Sequence, residues 1–212
     1  MWSIPFGRNV KRFRSSRKNK RHSNLRSIRK SPTLEKLEDR YLLAGDILYQ
    51  VNVGGESLLG DTVWQADTSS NPSEYTNASA ANSKTYSSAT SIDMGHLSIP
   101  VDTPEEVFQS ERYDKTDADD MKWDFAVDPG MYEVRLYFAE IFDGAQFIGG
   151  REFDVSFEGE QVLDNYDVFA DVGGFTGVVK SFVVTADSNL DIDFNHVTQN
   201  PALKAIEIVA IQ

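Results

Sequence analysis

The residues in this chain that invite a chemical reading are aromatics at expected turns and loops, with short polar side chains nearby. Tyr75, Tyr113, Phe142 and Tyr166 are the candidate rings, with Asp143, Gln199 and Asn200 as their polar partners. An aromatic ring offers a flat apolar face, while amides and carboxylates supply hydrogen-bond donors and acceptors around it. A pyranose needs that combination, because it carries an apolar C–H face and a rim of hydroxyls. On composition alone, a loop ring more often covers the edge of a core than it serves as a ligand platform.

Other chemistries find less material. The chain has no cysteine, which excludes disulfides, thiolate metal sites and cysteine nucleophiles. After residue 45 the histidines are His96 and His196. Neither lies in a motif that would couple it to a serine and a carboxylate, and neither has an i, i+4 histidine partner for a metal. No catalytic residue, no cofactor and no metal are therefore expected. The acidic segment over 114–120, with Asp114, Asp117, Asp119 and Asp120, invites a calcium reading. It lacks the glycine and the distal glutamate of a helix–loop–helix calcium loop, so a solvated turn is expected. Glycoside hydrolysis needs only two suitably spaced carboxylates. Glu140 is the one to weigh, and a hydrogen-bonded structural carboxylate is its expected role.

The elements that must position these residues are strands. Over 130–138, Tyr132, Val134, Leu136 and Phe138 share one face of an extended chain, and Glu133, Arg135 and Tyr137 share the other. A half-buried strand follows from that period of two, with Phe142 just beyond its end. Leu190, Ile192 and Phe194 alternate in the same way against Asp191, Asp193 and Asn195, and Trp123 and Phe125 do so earlier in the chain. Residues 47–53 make a first strand stopped by Gly54 and Gly55, residues 106–113 another, and Glu158-Gly159-Glu160 a hairpin tip. Residues 66–93, rich in Ser, Thr, Ala and Asn, predict a long surface loop. No helical period of useful length appears after residue 45. Eight to ten short strands with one-sided burial give an all-β fold, an antiparallel β-sandwich over 45–212.

Residues 1–44 are of a different kind. They carry 13 Lys and Arg against 3 Asp and Glu, leaving 8 against 30 for the rest, within a net charge of −12. Residues 1–30 hold almost nothing apolar enough for a core and read as a disordered basic leader. Ser31-Pro32 with Leu34, Leu37 and Tyr41 predicts a short amphipathic helix over 31–43. The strongly acidic remainder disfavours nucleic acid and anionic membranes as partners. Apolar runs of four residues are too short for a transmembrane helix.

Leu37-Glu38-Asp39-Arg40-Tyr41-Leu42-Leu43 resembles the Leu-Glu-Pro-Arg-x-Leu-Leu element near the N-termini of many bacterial surface and exported proteins, with Asp39 in place of proline. The resemblance implies an exported or cell-surface protein of bacterial type. Five further segments, in order, resemble the malectin family of carbohydrate-binding domains. They are Tyr49 to Gly55, then Phe108-Gln109-Ser110-Glu111-Arg112-Tyr113, then Phe138-Ala139-Glu140-Ile141-Phe142, then Arg151 to Val155, and finally Asn200 to Ile208.

That resemblance implies a lectin-like, jelly-roll type sandwich and a noncatalytic module that binds an oligosaccharide or polysaccharide. In the animal lectin that names the family, aromatic loop residues and an aspartate grip a diglucoside. By position, Tyr113 and Tyr75 match family tyrosines, the family's Tyr-Phe pair becomes Phe142-Asp143, and its aspartate before Asn-Pro becomes Gln199. The implied site has Tyr113 and Phe142 stacking on a sugar, Tyr75 closing over it, and Asp143 with Gln199 or Asn200 bonding hydroxyls. The departures point to a ligand other than diglucose. Two other readings stand beside this one: a cell-surface structural or adhesive protein that holds another protein, and a glycoside hydrolase.

Overall fold

The computed structural model describes residues 45–60, 62–115 and 120–211. The leader and the helix expected over 31–43 lie outside the described residues. In chain order the strands are β1 (Ile47–Val53), β2 (Leu58–Leu59), β3 (Val63–Asp67), β4 (Ser83–Ser87), β5 (Ser110–Asp114), β6 (Met121–Ala126) and β7 (Gly130–Phe138). After them come β8 (Glu152–Phe157), β9 (Glu160–Tyr166), β10 (Val178–Ala186), β11 (Asn189–Thr198), β12 (Ala202–Leu203) and β13 (Ala205–Ile211).

Three sheets result. A six-stranded sheet has the order β10-β7-β13-β1-β3-β2, a four-stranded one β6-β11-β8-β9, and a three-stranded one β12-β5-β4. The larger two pack their apolar faces together, so the fold is an all-β sandwich. Tyr132, Val134, Leu136 and Phe138 of β7 meet Phe153, Val155 and Phe157 of β8 and Leu190, Ile192 and Phe194 of β11 in one core. The period of two predicted the core-facing side of these strands. The β8–β9 hairpin turns through Glu158 (φ 51°) and Gly159 (φ 76°), the two left-handed residues that a tight hairpin with right-twisted strands demands.

Three expectations need correction. The sheet is mixed, because β1 and β3 pair in parallel; the chain reverses twice, at Gly54-Gly55 and again after β2, so β3 returns in the direction of β1. Residues 105–108 form a 3₁₀ turn after Pro104, and the strand expected over 106–113 begins only at Ser110. Residues 66–93 are not simply a surface loop, since they include β4 and the buried Asp67, Asn82 and Ser83. One α-helical turn, α1 (Val168–Val172), also lies after residue 45, with Asp167 accepting from the Ala170 N–H at its start. Five residues are too few to show a helical period.

The outer face of β7 departs most from its sequence pattern. Tyr137 is fully buried, because Ile92, Val107 and Phe108 from the 88–109 connection fold over it and make a second core with Trp64 and Val179. Its hydroxyl donates to Glu207 at 3.1 Å. Further along that face the Arg135 guanidinium grips both oxygens of Glu133, at 3.0 and 2.8 Å, and reaches Glu207 at 2.8 Å. Those bonds from Arg135 hold the Glu133 carboxyl below its ordinary range. A depressed carboxyl stabilises the fold above the unfolded value of about 4.3 and loses that contribution as pH falls through the folded value. Glu133→Gln is therefore expected to shrink the drop in melting temperature between pH 7 and acid, read by circular dichroism melts.

Candidate functional site

β5 runs in the three-stranded sheet with Glu111 and Tyr113 on one face and Ser110, Arg112 and Asp114 on the other, as the strand period dictates. On β4, Tyr86 lies directly opposite Glu111, which puts both side chains on the same face. The approach of β1 to this strand depends on Gly54. At its φ of 77°, a Cβ would lie 2.2 Å from the Glu111 carbonyl oxygen, so only glycine lets the two chains meet.

Three loops complete a concavity around that face. Phe142 comes from the connection after β7, Arg151 from the residue before β8, and Gln199 with Asn200 from the turn between β11 and β12. Together with Tyr86, Glu111 and Tyr113 they line a cavity of about 210 Å³. Sites for drug-sized ligands usually measure about 300–1,000 Å³, so this one suits a single ring with the rest of the ligand outside. Tyr86 and Phe142 meet edge to face, with centroids 6.0 Å apart and planes at 82°. Their exposures are 39% and 40%, so two large rings are held partly bare beside polar groups.

The floor is a buried ion network. Lys204, 1% exposed, pairs with Glu111, and Arg151 bonds Glu140 through Nε at 2.7 Å. A second Arg151 nitrogen lies 3.8 Å from Glu111, and a third donates to the Asn200 carbonyl. Burial pushes the Lys204 ammonium below its ordinary pKa, and Glu111 opposes that shift. Glu140 also accepts the Phe142 N–H at 2.9 Å. The carboxylate at the end of β7 thus positions the ring beyond it, and both of its oxygens are engaged.

A family model for the malectin domain matches residues 47–206, more than half of the chain. The chain belongs to the malectin-domain family. Solved structures with the same fold include Bacteroides uniformis beta-glucuronidase 2, at 22% identity and TM-score 0.60, over 80% of this chain and 18% of that one. The ANX2 ectodomain from Arabidopsis thaliana aligns at 18% identity and TM-score 0.65, over 78% of this chain and 50% of the other. The plant receptor-like kinase FER aligns at 19% and 0.68, with coverages of 78% and 50%. The chain therefore spans less than a fifth of the glucuronidase and half of the plant proteins. Comparison with curated proteins gave no match.

In this malectin domain the structure brings together Tyr113, Phe142, Gln199 and Asn200. Asp143 is exposed at the start of a 3₁₀ turn, facing Gln146 at 3.4 Å, and does not line the cavity. Tyr75 sits elsewhere, stacked on Phe125 at 4.9 Å and edge-on to Tyr49 at 5.1 Å. Its backbone carbonyl accepts from Asp124 of β6, so the rim of the main core holds it. Tyr166 is likewise a core-edge ring, packed on Phe138 and Phe153 beneath the Lys180 ammonium. Sequence reasoning passed over Tyr86, Glu111 and Arg151. For Tyr86 the only signal was an aromatic among Ser, Thr and Ala; its place opposite Glu111 depends on the register of β4 with β5. In the segment over 114–120, Asp117 and Asp119 lie outside the described residues, and Asp114 departs from the solvated turn expected there. Asp114 is fully buried, because β5 carries it under the sheet, and burial pushes its carboxyl up to about 6.

Proposed function

We propose that this domain is a noncatalytic carbohydrate-binding module, and that the cavity between β4, β5 and the 142 and 199 loops takes a sugar ring. The observation that carries the reading is the half-exposed Tyr86–Phe142 pair standing with Tyr113 over a satisfied polar floor. Aromatic faces take the C–H surface of a pyranose, while Gln199 and Asn200 reach its hydroxyls. Membership in the malectin-domain family supports it. The basic leader and the element over 37–43 support a place outside the cell or on its surface, which fractionation of an expressing bacterium would test.

Hydrolysis is disfavoured by the same floor. It would need two carboxylates facing the substrate, and among the described residues Glu111 is the one carboxylate lining the cavity. Glu111 is already bonded to Lys204. A glycan array on the full chain, followed by calorimetry with the strongest ligand, tests the proposal. Saturable binding without turnover supports it; no sugar bound, or a captured envelope protein that survives excess free sugar, sinks it.

Gly144 supplies a gentler test. A Cβ there would lie 2.5 Å from Cε1 of the Phe142 ring, so Gly144→Ala must displace the ring while leaving its chemistry intact. Affinity is expected to fall several-fold with little change in melting temperature, measured by the same calorimetry and a thermal melt.

A further inference from the structure

Asp114 and Asp120, from the acidic segment over 114–120, converge with His196 of β11 beside the sugar cavity. One potential ligand atom from each lies within 4.8 Å of the other two. Asp114 is fully buried; its Oδ2 accepts the Met121 N–H at 3.1 Å. Its Oδ1 lies 2.8 Å from His196 Nε2, yet the two are not aligned as a hydrogen bond, and neither atom has any other hydrogen-bond partner among the described residues.

The tautomer explains why this arrangement is unusual. His196 Nδ1 is 3.0 Å from the Gln199 carbonyl oxygen, which can only accept, so Nδ1 carries the hydrogen. In a neutral ring Nε2 then bears a lone pair. A buried carboxylate oxygen and an imidazole lone pair therefore face each other at 2.8 Å, an arrangement that a shared cation would satisfy. A proton would satisfy those two atoms alone, whereas a metal ion would also engage the Asp120 carboxylate.

We propose that Asp114, His196 and Asp120 form a binding site for a divalent transition-metal ion of the zinc type. One imidazole nitrogen with two carboxylate oxygens is a zinc donor set with a position left for water. Calcium prefers oxygen ligands throughout. Bonds of about 2.0–2.2 Å to N and O place neighbouring ligand atoms about 3.3–3.6 Å apart around a tetrahedral ion, so the 2.8 Å pair would open and any pair near the 4.8 Å limit would close. The Gln199 carbonyl supplies the outer hydrogen bond that fixes a ligating imidazole. The sequence showed Asp114 and Asp120 in one acidic segment but gave no sign of His196 beside them, because it lies more than seventy residues further along the chain.

The site also reaches the cavity. Gln199 holds the left-handed φ of 61° and lines the pocket with its side chain while its carbonyl takes the His196 hydrogen. A bound ion would hold the 199–200 turn from behind. The metal site itself does not rest on the sugar reading.

The full chain, stripped with a chelator and dialysed, should be titrated with zinc chloride by calorimetry. One equivalent is expected to saturate it, with calcium chloride binding at least tenfold more weakly. His196→Gln, Asp114→Asn and Asp120→Asn should each weaken zinc at least tenfold, while His96→Gln leaves it unchanged. Zinc should also shift the His196 ring nitrogen signals in NMR. If Asp114→Asn fails to fold by circular dichroism, His196→Gln decides, since that ring is partly exposed. Absence of saturable zinc binding, tighter calcium binding, or unchanged affinity in His196→Gln overturns the proposal.

Discussion

Asp67→Ala is expected to lower the domain's stability by about 3–5 kcal/mol, because it leaves a guanidinium buried without its counter-charge. Asp67 is fully buried and Arg112 is 2% exposed. Two parallel bonds join them, Nε to Oδ2 at 2.8 Å and an outer nitrogen to Oδ1 at 2.7 Å. The same carboxylate accepts the Gly54 N–H at 3.0 Å and the Ser73 N–H at 2.8 Å. The guanidinium in turn reaches Ser83 and the Thr68 carbonyl. One ion pair thus ties the end of β3 to β5, to β4 and to the exit of β1. Urea denaturation measures the loss. Arg112→Met with Asp67→Leu together should cost much less than either single change, since no charge is then stranded; a double variant as unstable as the singles would refute that account.

The second large effect concerns binding. Phe142→Ala and Tyr113→Ala are each expected to cost about 2 kcal/mol in sugar affinity, roughly thirtyfold, as central aromatic anchors do. Phe142 is half-exposed, so its loss should leave the melting temperature nearly in place. Calorimetry with the ligand chosen from the array gives the number. Tyr75→Ala is the contrast: its ring lies on Phe125 and Tyr49, so it should lower stability and spare affinity. Unchanged affinity in both Phe142→Ala and Tyr113→Ala would remove the aromatic cavity as the site.

Much of this architecture is legible in the sequence where one face of a strand decides burial. Leu190, Ile192 and Phe194 declare their own side because their neighbours are Asp and Asn. Phe142 could be expected at a loop because it follows the end of such a strand. Tyr137 could not be placed, since its period assigns it to the same face as Glu133 and Arg135. Only the later folding of Val107 and Phe108 over that face buries it. Tyr86 and Tyr75 show the same limit from the other side. Both lie in a stretch with weak local pattern, and what separates a cavity wall from a core cover is the partner each ring meets across the sheet. Asp114 and His196 are more than eighty residues apart, and their contact follows from topology rather than from any motif.

The buried network under the cavity has a kinetic side. Glu111, Glu140, Arg151 and Lys204 contribute two negative and two positive charges, so the floor is electrically balanced within a domain whose surface is strongly acidic. A neutral ligand approaching it would feel no steering, and its arrival would be set by diffusion and orientation, at rates that salt barely alters. An anionic ligand would instead cross a repulsive field reaching about 8–10 Å at ordinary ionic strength. Screening that field with salt would speed its capture without altering a single contact, so the acidic shell acts as a sieve ahead of the site.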